Sequence, residues 1–438
     1  MSEMKQPDKK QETPEERARR LRKLKRRREE IRRRRRKAMI LRTILAGIVL
    51  ALLIGVIALI AGAVDRNSDK RKKKKEEKHT ETQVEMEPVD IKNITHISVP
   101  TLVAVPETAF LQEDIQAAST LDQMYVTVDE FNGILQQLYQ NGYVLVDLEE
   151  FVEKDAATGE LKAKELKIPK GKKPLVLSQQ NVNYELSLSG QGFASKLILD
   201  GNGKLVNERV RLDGSVTTGD FDVVTCVNTF VEKHPDFSHN GARGILGLTG
   251  YNGILGYRTS AYLGKTEGNK YASRYGIFDT GQEAEQVKPV IQALKNQGWR
   301  FACNGYGQIS YHSDLTQVEA DMKLWKEQVG SLVGETDILM YPQGNDISGW
   351  NGYSRENEIY DYLKGQGFTF FCSQDMSELG TQLTTEYLRC NYRNLDGYRM
   401  YQDLYQGTGY FKGMMDFQEI YDQRRPSVSG DETEQETK

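Results

Sequence analysis

Three apolar segments of the chain each run into a short polar turn that carries amide side chains. The pairs are Leu175–Leu177 with Ser178–Asn181, Phe301–Cys303 with Asn304–Gln308, and Ile338–Met340 with Tyr341–Gly344. None of these turns contains a carboxylate, an imidazole or a thiol. Amide groups donate and accept hydrogen bonds, but they do not take a proton near neutral pH and they bind zinc-like ions weakly. The chemistry that the turns can supply is therefore hydrogen bonding.

Helical patterns alternate with short apolar runs along the chain. Amphipathic periodicity predicts helices at Val128–Gln140, Glu283–Asn296 and Arg355–Lys364. Each is followed by a glycine where a left-handed C-cap is expected: Gly142, Gly298 and Gly367. Two further strands are predicted at Ile245–Leu248 and Thr369–Cys372. Such alternation predicts an α/β fold with a parallel sheet or barrel, whose ligand site lies at the C-terminal ends of the strands. The amide-rich turns occupy those ends.

The order of these strand ends resembles that of the polysaccharide deacetylase (NodB homology) family. The phrases Gly298–Gln308 and Asn394–Arg399 carry the resemblance in detail, which extends over roughly residues 96–405. It implies a distorted (β/α) barrel, and the apolar stretch at 43–64 would place one transmembrane helix before that barrel. It also implies an enzyme that removes acetyl groups from the amino sugars of wall glycans with the help of a divalent metal ion.

On the same resemblance, the positions of the family's functional residues carry other residue types in this chain. Gln180 stands at the position of the catalytic base. The metal-ligand positions are occupied by Asn181, Asn304 and Gln308. The residues expected to contact the substrate are Tyr306, Tyr341, Pro342 and Gly344. Met340 replaces the arginine of the third motif, and the family's late histidine has no counterpart because the last histidine is His312.

These replacements predict an inactive site. The family's metal polarises the acetyl carbonyl and activates water, which glutamine and neutral amides cannot support. No cofactor is therefore expected, although a divalent, zinc-like metal would be needed if the site were active. Isolated candidates for a relocated site, such as His234, His312 and Asp222, are interpreted as surface or capping residues.

An uncharged apolar stretch at 43–64 predicts a membrane span. Its 22 residues would form a helix of about 33 Å, close to the thickness of the hydrocarbon core. Residues 1–42 carry 19 Lys and Arg against 7 Asp and Glu, so the N-terminus is expected in the cytoplasm and the body outside the cell membrane. The remaining divisions are a charged linker at 65–90, a deacetylase-like domain at 91–422 and a disordered tail at 423–438.

The body of the chain is acidic. From residue 79 onward it carries 32 Lys and Arg against 51 Asp and Glu, which argues against binding to nucleic acid. The four cysteines, at 226, 303, 372 and 390, have apolar neighbours and are interpreted as buried thiols, with a single disulfide as the alternative.

Three functions remain open at this point. The leading hypothesis is a membrane-anchored, non-catalytic module that binds or organises cell-wall or envelope glycan, with anionic lipid near the basic flanks of the span. Amides and aromatic rings together suit sugars. The second is an active amino-sugar deacetylase with a rearranged site. The third is a protein-interaction module of the wall-synthesis machinery.

Overall fold

The computed structural model describes residues 85–112, 114–377 and 379–426. The predicted span at 43–64, the basic segment at 1–42 and most of the predicted linker lie outside the described residues. Within the described ranges, no helix is both long enough and apolar enough to cross a membrane.

The strands and helices are short and alternate through most of the domain. The strands are β1 (Met86–Val89), β2 (Thr95–Val99), β3 (Leu102–Val103), β4 (Val126–Thr127), β5 (Tyr143–Leu145), β6 (Val152–Lys154), β7 (Leu161–Ala163), β8 (Leu166–Pro169), β9 (Lys173–Gln179), β10 (Lys196–Leu199), β11 (Leu205–Val210), β12 (Val216–Gly219), β13 (Gly244–Leu248), β14 (Trp299–Cys303), β15 (Ile338–Met340), β16 (Phe370–Cys372), β17 (Thr381–Leu383), β18 (Leu388–Cys390) and β19 (Arg393–Asn394). The helices are α1 (Pro106–Ala109), α2 (Ile115–Met124), α3 (Val128–Gln140), α4 (Val223–Lys233), α5 (Ala272–Tyr275), α6 (Thr280–Asn296), α7 (Leu315–Trp325), α8 (Ser331–Val333), α9 (Glu358–Gly365), α10 (Gly397–Tyr401) and α11 (Phe417–Ile420).

A curled, mainly parallel sheet forms the centre of the domain. β2, β9, β13, β14, β15, β16 and β18 lie side by side in chain order, and each neighbouring pair is parallel. β18 pairs with β16, whereas β19, only two residues further along the chain, pairs with β2 at the opposite end of the sheet. One extended segment therefore brings the two ends of the sheet together. The prediction of an α/β fold with a parallel sheet is confirmed.

Residues of the central strands alternate between two apolar layers. In β9, Leu175 and Leu177 pack in one layer with helix residues such as Ile134, while Val176 lies in the other. The same alternation is repeated in β13 to β16, because successive side chains of a strand point to opposite faces. Both faces are buried, which explains why these strands appear in the sequence as continuous apolar runs.

The predicted helix Val128–Gln140 has the observed bounds, whereas the helix predicted from Glu283 begins at Thr280 and the one predicted as Arg355–Lys364 runs from Glu358 to Gly365. Helix α3 begins at a capping box in which Thr127 and Glu130 each bond the backbone N–H of the other. The glycines predicted as left-handed C-caps, Gly142, Gly298 and Gly367, have φ angles of 79°, 91° and 101°. At Gly298 a Cβ atom would also lie 2.1 Å from the carbonyl oxygen of Gly241, so no other residue fits there.

Two predicted boundaries need correction. β1 lies within the predicted linker, where it pairs antiparallel with β8, so the domain begins earlier than residue 91. Residues 423–426 are also part of the fold rather than of a disordered tail, because the Arg425 side chain is buried against helices α2 and α3. The rest of the predicted tail lies outside the described residues. All four cysteines are buried free thiols.

Candidate functional site

The three amide-rich turns meet at one edge of the curled sheet, because parallel strands end at the same edge. One amide residue of each turn has a left-handed backbone: Asn181, Gln308 and Gln343, with φ angles of 54°, 59° and 58°. This conformation is uncommon outside glycine and costs of order 1–3 kcal/mol per residue. Such residues are frequent at ligand sites, so this edge of the sheet is a candidate functional site.

Asn181, Asn304 and Gln308 form one hydrogen-bonded group. The backbone N–H of Asn181 and Nε2 of Gln308 both donate to Oδ1 of Asn304, at 3.1 and 3.2 Å. Nδ2 of Asn304 donates to the carbonyl oxygen of Met340 at 3.0 Å. A backbone N–H on one side and a carbonyl on the other determine which amide atom is oxygen. The structure thus brings together the three residues expected at metal-ligand positions, but they hydrogen-bond one another.

This group does not fit a zinc-like ion. Oδ1 of Asn181 accepts hydrogen bonds from Thr249 at 2.6 Å and Asn183 at 2.9 Å. The side-chain oxygens of Asn181 and Asn304 therefore each accept two hydrogen bonds, which uses both of their lone pairs. Among the residues that the structure describes, no three His, Cys, Asp or Glu side chains are grouped so as to hold a metal ion. No metal-dependent step follows from this geometry.

Gln180 belongs to a second chain of hydrogen bonds. Its Nε2 donates to Oδ1 of Asn394 at 3.0 Å, and its Oε1 accepts from the Tyr392 hydroxyl at 3.2 Å. Nδ2 of Asn394 in turn donates to Oδ2 of Asp396 at 2.6 Å. A carboxylate only accepts, so Asp396 sets the orientation of Asn394 and, through it, of Gln180. The residue at the expected base position therefore uses both amide atoms for positioning.

Asp396 connects this chain to a guanidinium group. Its Oδ1 accepts from the backbone N–H of Arg399 at 2.8 Å, and its Oδ2 accepts from Nη1 of the same residue at 2.9 Å. Burial raises the pKa of Asp396, and the charge of Arg399 opposes that rise. Since both carboxylate oxygens are occupied, Asp396 orients Arg399 more readily than it acts as a free acid or base.

Tyr341, Pro342 and Gly344 lie in the core and not on an open surface. Tyr341 is fully buried and donates to the hydroxyl of Tyr353 at 3.0 Å. A Cβ atom on Gly344, which has a φ of 74°, would lie 2.5 Å from Cβ of Gln374. The expectation that these three residues contact a substrate therefore needs correction, because close packing of the turn already uses them.

Tyr306 joins two strand-end loops. Its hydroxyl hydrogen-bonds Ser260 at 2.9 Å and Gln328 at 3.0 Å, and its ring is half-buried. Its carbonyl oxygen accepts from the backbone N–H groups of Gly250 and Tyr251, at 3.1 and 3.2 Å. With these groups engaged, Tyr306 holds the loops after β13 and β14 together and has little capacity left for a ligand.

A cleft of about 370 Å³ opens beside Gln180. Its walls come from the loop after β2, the end of α2, the turn after β9 and the segment 394–399. The side chains that line it include Tyr125, Gln180, Asn181, Glu185, Asp396, Tyr398 and Arg399. Asn304, Gln308 and Tyr306 are not part of this lining. The open part of the site is therefore next to the expected base position and away from the Asn304–Gln308 group.

Asp222 is a buried residue that supports the cleft from behind, through Thr101 of the lining, in a role that the sequence did not indicate. It accepts hydrogen bonds from Nε2 of Gln179 at 2.8 Å, the N–H of Leu102 at 2.8 Å and the Thr101 hydroxyl at 3.2 Å. Burial raises its pKa, and these hydrogen bonds oppose the rise. Of the two interpretations, surface or capping residue, the first is wrong because Asp222 is fully buried. It stands at the N-cap position of α4, but its side chain ties the segment after β2 to the end of β9. In the sequence, an Asp that precedes an apolar helix predicts an N-cap and nothing more.

The cleft wall at the end of α2 is held from behind by the C-terminal segment. Nη1 of Arg425 donates to the carbonyl oxygen of Asp122 at 2.6 Å, and Nη2 donates to that of Tyr125 at 2.7 Å. The same guanidinium pairs with the carboxylates of Glu130 and Asp122. The position of Tyr125 therefore depends on a residue 300 positions away in the chain.

Comparison with known proteins identifies similarity at the level of structure alone. No family model matches the chain, and no curated protein matches it. Among solved structures, the Streptococcus pyogenes deacetylase PplD, in complex with acetate, has 13% identity and a TM-score of 0.35, with 71% of this chain and 94% of that chain covered. A putative polysaccharide deacetylase from Bacillus anthracis has 9% identity and a TM-score of 0.32, and a polysaccharide deacetylase from Bacillus cereus has 10% and 0.34; each match covers 71% of this chain and 66% of the other.

Proposed function

We propose that the described domain is a glycan-binding module that has no metal-dependent deacetylase activity. The proposal rests on how the amide side chains at the strand ends are hydrogen-bonded and on the cleft that opens next to them. The side-chain oxygens of Asn181 and Asn304 are saturated by hydrogen bonds within the protein, and an open cleft lies beside Gln180 and Asn181. The cleft wall next to these amides is therefore rigid and polar, which suits recognition of the hydroxyl and amide groups of a sugar.

Catalysis by the family's route lacks its chemical requirements at the expected base and metal positions. That route needs a base that activates water and a metal ion that polarises the acetyl carbonyl. Gln180 cannot take the proton, and both oxygens of Asp396 are already bonded to Asn394 and Arg399. The geometry therefore supports binding better than turnover.

An aromatic ring supplies the apolar part of the proposed sugar site. Tyr398 lines the cleft with 41% of its surface exposed, and the Arg399 guanidinium lies 5.5 Å from its ring centre. A sugar can place the C–H face of its ring on such a surface and direct its hydroxyls to neighbouring polar groups. The volume of the cleft falls within the range of small-ligand sites.

We also propose that the domain is presented on the outer side of the cell membrane by the apolar stretch at 43–64, where wall or envelope glycan would be its ligand. Cysteine labelling with a membrane-impermeant reagent in intact cells tests this arrangement. A cysteine introduced at exposed Leu212 should react, while one introduced at position 20 should not. Labelling of position 20 alone would contradict the proposed orientation.

The binding proposal is tested by titrating the full-length protein with chito-oligosaccharides and peptidoglycan fragments in a calorimeter. Saturable binding is expected, and Tyr398→Ala should weaken it about five- to tenfold through loss of the ring surface. Tyr405→Ala is the matched control, since Tyr405 is an exposed tyrosine of the same segment that does not line the cleft. Absence of binding to every fragment would refute the proposal.

An active deacetylase with a rearranged site remains as the second candidate, and the carboxyl of Asp396, with its pKa raised by burial, is the observation in its favour. Acetate release from acetylated chito-oligosaccharides, lost in Asp396→Asn, would establish it. The metal content of the full-length protein, measured after incubation with zinc and desalting, is a second test. Stoichiometric zinc would contradict the hydrogen-bond argument for Asn181 and Asn304.

A further inference from the structure

The charges of the cleft are unbalanced. Asp396 and Arg399 form an ion pair with an Oδ2–Nη1 distance of 2.9 Å, so their charges largely cancel. Glu185, the other acidic side chain of the lining, has no ion-pair partner within the described part of the chain. Its hydrogen-bond partner there is the Tyr271 hydroxyl, at 3.4 Å, which is close to the limit for such a bond. One carboxylate of the lining residues therefore has most of its acceptor capacity unused.

Two basic groups whose charges interact with Glu185, Arg258 and Lys270, do not line the cleft. Arg258 is buried and donates to the carbonyl oxygens of Asn183, Tyr184 and Asn252, at 2.8–3.2 Å. Its charge also acts on Glu283, so Glu185 shares it with another carboxylate. Lys270 is exposed and lies on the face of the Tyr271 ring. The tyrosines that surround Glu185 have pKa values raised by burial and stay neutral, as at Tyr125 and Tyr251. The cleft lining thus keeps a net negative charge.

We infer that the cleft selects de-N-acetylated, cationic amino sugars over N-acetylated ones. This inference rests on the proposed glycan binding and adds the identity of the preferred sugar. The ammonium group of a free amino sugar would donate a charge-assisted hydrogen bond to Glu185, whereas a neutral acetamide offers a single weaker N–H donor. Arg399 and Tyr398 would meet the hydroxyls and the ring, which are the same in both sugars. Selection between the two therefore depends on Glu185.

The test compares two chito-oligosaccharides of equal length, one fully N-acetylated and one fully de-N-acetylated, titrated into the full-length protein. The amine form should bind at least about tenfold more tightly, the ratio expected from one charge-assisted hydrogen bond. Glu185→Gln should abolish that preference. In a buffer basic enough to neutralise the sugar amine, the preference of the native protein should also disappear.

A control variant separates the cleft from the general acidity of the domain, which would attract any cationic sugar. Glu267→Gln makes the same change in net charge at an exposed position outside the cleft, and it should keep the preference. Equal binding of the two sugars by the native protein would overturn the inference and leave the proposed glycan binding intact. Binding of neither sugar would overturn both. A preference that survives in Glu185→Gln would show that Glu185 is not the selecting group.

Discussion

Arg425 offers the sharpest test of the structure, because it is a fully enclosed cation near the end of the described chain. Its side chain is 1% exposed. Nε and Nη2 bond the two carboxylate oxygens of Glu130, each at 2.7 Å, and Nη1 bonds the Asp122 carboxylate at 2.7 Å. The guanidinium lies over the rings of Phe110 and Tyr421, at 5.0 and 5.3 Å from their centres. We predict that Arg425→Met lowers the free energy of unfolding by about 3 kcal/mol.

The magnitude follows from what the substitution leaves behind. Removing one partner of a buried ion pair costs roughly 3–5 kcal/mol, because the other charge remains without compensation. Glu130 would still accept the backbone N–H groups of Thr127 and Asp422, both at 2.8 Å, so the lower end of that range is expected. Methionine retains most of the aliphatic stem, so loss of packing adds little.

Urea unfolding followed by the fluorescence of the three tryptophans measures this change. Arg424→Met is the matched control, since Arg424 is 34% exposed and pairs with Asp422 and the exposed Asp129. Its partner Asp422 is buried but keeps the Thr127 hydroxyl as a donor, so Arg424→Met should cost less than Arg425→Met, about 1–2 kcal/mol. If the two variants were equally stable, or if Arg425→Met stayed within about 1 kcal/mol of the native protein, the C-terminal segment would not be a buried element of the fold. A glycan-binding defect specific to Arg425→Met is also expected, because Arg425 holds the cleft wall at Tyr125.

Three further predictions concern groups elsewhere in the domain. Burial raises the pKa of Asp147 to about 6. Between about pH 4 and 6 the folded state therefore retains a proton that the unfolded state releases, so the free energy of unfolding falls as the pH rises through this range. In Asp147→Asn the free energy of unfolding should depend less on pH between these values. Burial lowers the pKa of His96 to about 3, so below about pH 6.5 the unfolded state takes up a proton that the folded state does not, and the free energy of unfolding should fall as the pH drops. In His96→Asn the midpoint of urea unfolding should decline less over this range. Asn304→Ala leaves the N–H of Asn181 and the carbonyl oxygen of Met340 without their partner, so it should lower the free energy of unfolding by about 2–4 kcal/mol. Gln308→Ala, at a half-buried position, should lower it by about 1 kcal/mol. Equal shifts of the melting temperature in the two variants would argue against Asn304 as the centre of the amide group.

Local sequence patterns predicted the elements of the fold correctly where short-range effects decide the conformation. The predicted helix Val128–Gln140 has the observed bounds, and its capping box, Thr127 and Glu130, lies within four consecutive residues. The C-cap at Gly298 follows from the freedom of glycine to adopt positive φ. The strands predicted at Leu175–Leu177, Ile245–Leu248 and Phe301–Cys303 lie within longer ones, and the one predicted at Thr369–Cys372 begins one residue later, because a run of apolar residues shows where a strand is buried better than where it ends.

The sequence also determined what chemistry the strand-end turns can perform, because that depends on residue type alone. Amides at 180, 181, 304 and 308 cannot serve as a base or as strong ligands for zinc wherever they lie. The tertiary structure decides which of their side-chain atoms remain free to hydrogen-bond a ligand. Gln180 is used by Asn394, 214 positions away, and Asn304 by the backbone of Asn181, 123 positions away.

Burial was likewise decided by contacts that no local pattern records. Asp222 resembles an ordinary helix cap in the sequence, and Arg425 stands in a polar stretch typical of a disordered tail, yet both are fully enclosed. Glu130 appears as one half of a capping box and also binds Arg425, 295 positions further along the chain. Periodicity and backbone sterics act over a few residues, whereas desolvation and the choice of hydrogen-bond partner depend on which distant segments the fold brings together. For this reason the sequence determined the elements and the chemical character of the site, and the tertiary structure determined where the cleft opens and which charge faces it.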